Sequence, residues 1–117
     1  MTDQTQPNDA RFWDLAEEFL TRPGVTKSTM MGFPCLRVDG KLFACCNRET
    51  GDLVVKLPES RVDDLIAAER GLPFAPAGRR FREWVSIPQH RSRTWRRLLD
   101  EALTFVIDQP APKQRRA

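Results

Sequence analysis

The sequence predicts an α+β fold: a two-layer sandwich whose antiparallel sheet carries its helices on one side, in the order α-β(3-4)-α-β-α. Three observations predict it. The apolar residues leave a helical period and take up a strand-and-turn rhythm at Pro23-Gly24. An Asp39-Gly40 step separates two short β-rich runs. Two further helical stripes, after Ser60 and after Thr94, bracket one more strand-like run.

Each element follows from local chemistry. Residues 1–8 read as a flexible leader. Asp9 is an expected N-cap, and behind it Phe12, Leu15, Ala16, Phe19 and Leu20 recur along one helical face. Val25 to Met31 is a strand by its β-branched and apolar content. Gly32-Phe33-Pro34 is expected to break it, since proline lacks the N–H that a central ladder position needs. Cys35 to Val38 and Lys41 to Cys46 form a hairpin around Asp39-Gly40, because a type I′ turn asks for φ > 0 at both central residues. A longer polar loop, Asn47 to Asp52, leads into Leu53 to Leu57. Ser60 is an expected N-cap for a second helix with a Val62, Leu65, Ile66 stripe, and Gly71 its expected C′ residue. Leu72 to Gly78 reads as loop and Arg79 to Ile87 as the last strand, with Arg80, Arg82 and Trp84 on one face of it. Thr94 caps a third helix whose inner face is Trp95, Leu98, Leu99, Ala102, Phe105 and Val106. The single domain covers 9–107, and 108–117 is a basic flexible tail.

Composition bounds the function. The chain has 117 residues and is 40% hydrophobic, which fits one domain with one modest core. Its longest apolar run, Leu42 to Cys46, is far short of the ~20 residues a spanning helix needs, so no membrane segment is expected. The start, MTDQTQPNDA, has no apolar stretch of the secretory kind. Cys35, Cys45 and Cys46 lack C-x-x-C spacing and lie far from the single histidine, His90, so no metal site is expected. Neighbouring strand residues face opposite ways, which sets Cys45 and Cys46 on different sides of the sheet. Reduced thiols in a cytoplasmic protein are the expectation.

The net charge of +3 hides an asymmetry: residues 1–78 carry −3 and residues 79–117 carry +6. Arg79, Arg80, Arg82, Arg91, Arg93, Arg96 and Arg97 fall within nineteen residues that hold one carboxylate, Glu83. Guanidinium groups grip phosphate with two bonds, and such contacts give salt-dependent, sequence-independent affinity. Trp84 beside them would offer a stacking surface to an unpaired base. The competing reading is a solvated basic face around a core tryptophan. Lys41 and Lys56 sit in or beside the hairpin strands; with Arg37 and Arg48 they would touch phosphates if the hairpins act as wings, whereas lysine on an edge strand also serves simply to block aggregation. Nothing pairs the carboxylates of Glu59, Glu83, Asp100 and Glu101 for acid/base work, and a salt bridge from Glu83 to a neighbouring arginine is expected instead; His90, Cys45, Cys46 and Ser86 have no recognisable partner. Neither catalysis nor a cofactor is expected.

Several stretches, taken together, resemble a known family. They are GFPCLRVDGKLFA, LVVKLPESRVDDLI, GLPFAPAGRRFREWVSIP and WRRLLDEALTFV. Over residues 10–107 the chain resembles the MmcQ/YjbR family, and it is similar to the related N-terminal domain of TfoX/Sxy competence regulators. The resemblance implies a bacterial α+β domain in the element order given above. It also implies DNA binding through a double-wing arrangement, and brings no catalytic residues and no cofactor. The resulting expectation is electrostatic docking on DNA phosphates with little sequence readout. The alternative is a protein-interaction or adaptor domain that uses its exposed sheet.

Overall fold

Phe12, Ala16 and Phe19 stand at helical spacing and are fully buried along α1 (Ala10–Phe19). The computed structural model describes residues 9–30, 32–75 and 78–109. The expected leader 1–8 and residues 110–117 of the expected tail lie outside the described residues. Asp9 precedes α1, but its carboxylate makes no cap. Oδ2 instead accepts the indole N–H of Trp13 at 3.2 Å, one turn along.

β1 (Val25–Met30), β2 (Phe33–Val38), β3 (Lys41–Cys46) and β4 (Leu53–Lys56) form an antiparallel meander. Asp39 and Gly40 take φ of 51° and 81° at the β2–β3 turn, as a type I′ hairpin requires. Pro34, expected to break the chain, lies inside β2 opposite Thr29. The ladder to β3 begins only at Cys35–Cys45, so its missing N–H leaves no bond to β3 unmade. The register slips between Leu36 and Arg37, and the extra residue lets Phe43 and Ala44 both join the helix-side core.

α2 (Glu59–Ala67) starts one residue before Ser60, with Pro58 at the N-cap position, so Ser60 is helical rather than a cap. The helix is closed by Glu69, whose φ of 61° is the left-handed conformation expected of Gly71. Gly71 serves another end. A Cβ there would stand 2.7 Å from Cγ2 of Val85 and 3.2 Å from Cδ1 of Ile87, because the backbone lies close against the last strand of the chain. Valine is stiff at χ1 and cannot turn aside cheaply. Gly71→Ala is therefore expected to cost about 1–3 kcal/mol, read as a lower urea midpoint with an unchanged m-value.

The last strand is shorter than expected, and another precedes it. β5 (Leu72–Pro73) pairs with β6 (Trp84–Ile87), which pairs in turn with β4. Among the described residues the sheet has six strands in the order β1-β2-β3-β4-β6-β5. Arg79 to Glu83, expected to be strand, is loop and turn. Pro58 diverts the partner strand into α2, and the ladder ends where Leu57 N–H meets the Glu83 carbonyl at 2.9 Å. After β6 the chain forms a 3-10 helix (Gln89–Thr94) and then α3 (Trp95–Ile107). Thr94 holds the N-cap position, yet its hydroxyl donates back to the Arg91 carbonyl at 2.8 Å instead of capping α3.

α1, α2 and α3 bury their stripes against one face of the sheet, in a core that includes Trp95, Phe12, Phe19, Phe43 and Leu99. Among the described residues the other face carries no helix; Cys35, Cys45 and Val54 are buried there beneath half-buried Met30, Leu42, Phe74 and Trp84. This is the expected two-layer α+β architecture with its helices on one side. Among the described residues no helix is long and apolar enough to cross a membrane.

Candidate nucleic-acid interface

The loop into β6 is shaped by its aromatic residues. Phe81 N–H donates to the Phe74 carbonyl at 2.9 Å, and Trp84 N–H returns to the Phe81 carbonyl at 3.1 Å. The Phe74 ring meets Phe81 edge-on at 5.9 Å and Trp84 at 6.5 Å. Pinned in this way, the loop lines a shallow cleft of about 370 Å³ with Arg79, Arg80, Phe81, Arg82, Glu83 and Trp84, and β4 adds Lys56. Four cations thus share one concavity with a single carboxylate. Phe81 is 41% exposed and Trp84 half-buried, so aromatic surface reaches solvent there.

The cations are partly engaged. Arg80 reaches Asp63 at 3.1 Å and Arg82 reaches Glu59 at 3.3 Å, both on α2. Lys56 lies 3.9 Å from Glu83, and the Arg79 guanidinium sits 5.9 Å from the Phe81 ring centre. Arg82 is 69% exposed in its pair. Exposed pairs of this kind are worth about 0–1 kcal/mol, so a phosphate can replace the carboxylate at little cost.

The other four arginines do not line this cleft. Arg91 and His90, both on the 3-10 helix, line a hollow with Glu69 and Leu72. Arg93 is exposed on the same 3-10 helix. Arg96 pairs with Glu18 of α1 at 2.8 Å, whereas Arg97 lines the groove between α2 and α3 beside Glu101. Neighbouring helix residues diverge by about 100°, which sends Arg96 and Arg97 to different partners. The expected grouping of all seven arginines therefore contracts to Arg79, Arg80 and Arg82 with Trp84. These do not share a strand face, as their sequence alternation suggested, but a loop.

The hairpin cations also separate. β3 and β4 are interior strands, so edge protection does not explain Lys41 or Lys56. The Lys41 ammonium donates to the carbonyls of Ile107 and Gln109, at the C-terminal end of α3, where a cation complements the helix dipole. Arg37 donates to Ser28 Oγ and to the Gly40 carbonyl, both at 2.9 Å. Arg48 donates to the Gly32 carbonyl at 3.4 Å. Lys56 alone of the four lines the basic cleft. Phe74 and Phe81 carry no functional expectation from the sequence. The GLPFAPAGRRF run, with two phenylalanines flanking the arginines, was the available signal.

The four acidic candidates all pair with cations, Glu59 and Glu83 with those of the cleft. Asp100 takes Arg22, and Glu101 takes Arg61 through two bonds of 2.9 and 3.0 Å. Those bonds raise the Arg61 pKa and tie α2 to α3. Cys46 is buried on the helix side, where burial, with Asp9 and Asp52 adding to it, pushes the thiol up to about 12. Among the described residues no group of three or more His, Cys, Asp or Glu is placed to hold a metal ion.

The model of the YjbR family matches residues 20–104. The chain belongs to the YjbR family. No curated protein and no solved structure matches it. In this YjbR-family protein the matched stretch begins just after α1, spans all six strands, α2 and most of α3, and takes in the whole basic cleft.

Proposed function

We propose that this YjbR-family protein binds DNA electrostatically through the cleft formed by Lys56, Arg79, Arg80 and Arg82. The observation that carries the reading is the convergence of these four cations with exposed Phe81 and half-buried Trp84 on one concavity. Guanidinium and ammonium groups take up phosphate oxygens, and the two rings stack on bases wherever the strand is unpaired. Contacts of this kind are made to the backbone, so recognition is tolerant of sequence. The protein acts as a binding module and not as an enzyme. It works in the cytoplasm, and its three free thiols fit a reducing compartment.

Four phosphate contacts on a single strand give a slope of about −2.8 in log affinity against log salt. Affinity for labelled single-stranded DNA is then expected to fall about a hundredfold between roughly 50 and 300 mM salt, with a steeper fall on duplex. A titration by fluorescence anisotropy reads this directly. Binding that holds constant over that range would reject the phosphate mechanism.

The helix-free face of the sheet favours a second reading, a protein partner. Half-buried Met30, Leu42, Phe74 and Trp84 give it apolar character. A protein held there binds with weak salt dependence, and the same titration separates the two readings.

A further inference from the structure

We propose that Cys35 and Cys45 form a reversible oxidation site on the helix-free face of the sheet, closing to an intrachain disulfide when a peroxide oxidises the pair. The two residues are direct cross-strand partners in β2 and β3. Their sulfurs stand 2.9 Å apart, as free thiols sharing a hydrogen bond. Strand pairing already holds the two backbones opposite one another, so closing the bond asks for a side-chain adjustment and no rearrangement of the sheet.

The surroundings distinguish these thiols from the third. Cys45 retains 5% exposure, and among the described residues no helix lies over the pair; half-buried Met30, Leu42, Phe74 and Trp84 form its apolar cover. Rotamer changes in such a cover admit a molecule as small as hydrogen peroxide. The hydrogen bond with Cys45 lowers the Cys35 pKa against the effect of burial, and the Arg37 guanidinium adds to the lowering. Cys35 is thus the attacking thiolate and Cys45 the resolving thiol. Cys46, next in sequence, is buried in the helix-side core and points away from both.

The chemistry balances in two steps. The Cys35 thiolate attacks one oxygen of hydrogen peroxide; the O–O bond breaks, and Cys35 becomes a sulfenic acid as hydroxide leaves and is protonated to water. Cys45 sulfur then attacks the sulfenic sulfur, giving up its proton. The S–O bond breaks, the S–S bond forms, and the hydroxide released takes that proton as a second water. The pair loses two electrons and two protons, and the peroxide gains them. A dithiol reductant reverses the change by exchange.

The test treats the full chain with hydrogen peroxide, at a dose that fully oxidises free glutathione. It then counts thiols by alkylation in denaturant and intact mass. The expected result is one alkylated cysteine after peroxide, and three after dithiothreitol. Trypsin cuts after Arg37 and Lys41, so the oxidised chain is expected to yield peptide 28–37 joined to peptide 42–48. Cys46→Ala is expected to give the same joined pair, which assigns the second sulfur to Cys45. Cys35→Ser is expected to abolish the intrachain link. Three alkylated thiols after peroxide, a link that disappears in Cys46→Ala, or disulfide-joined dimers as the main product would each overturn the proposal. The wild-type peptide map decides the matter even if a variant folds poorly.

Discussion

Arg79, Arg80 and Arg82 replaced together by alanine are expected to bind single-stranded DNA about a hundredfold more weakly at roughly 50 mM salt, with most of the salt dependence gone. The arithmetic is that of counterion release. Three of the four cleft cations are removed, leaving Lys56, so the slope falls from about −2.8 to about −0.7. Losing about two released counterions at this salt concentration costs a factor of several hundred. Freeing the arginines from Asp63 and Glu59 is no longer required, which returns part of it. The comparison variant is Arg93, Arg96 and Arg97 to alanine. It removes the same charge from positions outside the cleft, and its affinity is expected to stay within about threefold of the parent. Anisotropy titrations of both variants at several salt concentrations check this. Equal losses in the two variants would mean that net charge alone, and not the cleft, sets the affinity. The triple cleft variant should remain folded, because the ion pairs it gives up are exposed and worth at most about 1 kcal/mol each.

Trp95→Ala is expected to remove about 3–5 kcal/mol of stability, a large share of the ~5–15 kcal/mol that holds a domain of this size. Trp95 opens α3, is fully buried, and belongs to the core shared by the three helices and the sheet. Truncation leaves a cavity that rigid strands cannot close. Its indole N–H adds a second effect, for it is buried without a hydrogen-bond partner among the described residues. Such a donor loses its water and gains nothing in exchange. Trp95→Phe keeps most of the apolar volume and removes the orphan donor, so it is expected to cost clearly less than Trp95→Ala. Urea unfolding followed by far-ultraviolet circular dichroism measures both without relying on tryptophan emission. Similar losses for the two variants would show that the retained phenyl ring does not fill the site, and would overturn the cavity account.

Much of the fold was legible because its determinants are local. Asp39-Gly40 announced a type I′ hairpin through the φ values those two residues tolerate, and the turn is there. The stripes of α1 and α3 were visible at their spacing, and Phe12, Phe19, Trp95 and Leu99 are all in the core. Strand alternation alone placed Cys45 and Cys46 on opposite faces. The candidate site was legible in part: Arg79, Arg80, Arg82 and Trp84 do meet, while the arginines of the 3-10 helix and α3 lie elsewhere.

What the sequence by itself determined, then, was the class of fold, the order of its main elements, the hairpin and the basic character of the second half, all of which follow from backbone preferences and periodicity within a few residues. Only the tertiary structure decided where β6 begins, that Gly71 answers to a neighbouring strand while Glu69 closes α2, that Lys41 serves the end of α3, and which arginines share a cleft. Those outcomes depend on what lies across the gap from each residue. A strand ends where its partner turns away, and a guanidinium settles beside whichever carboxylate or ring the packing of distant segments brings within reach.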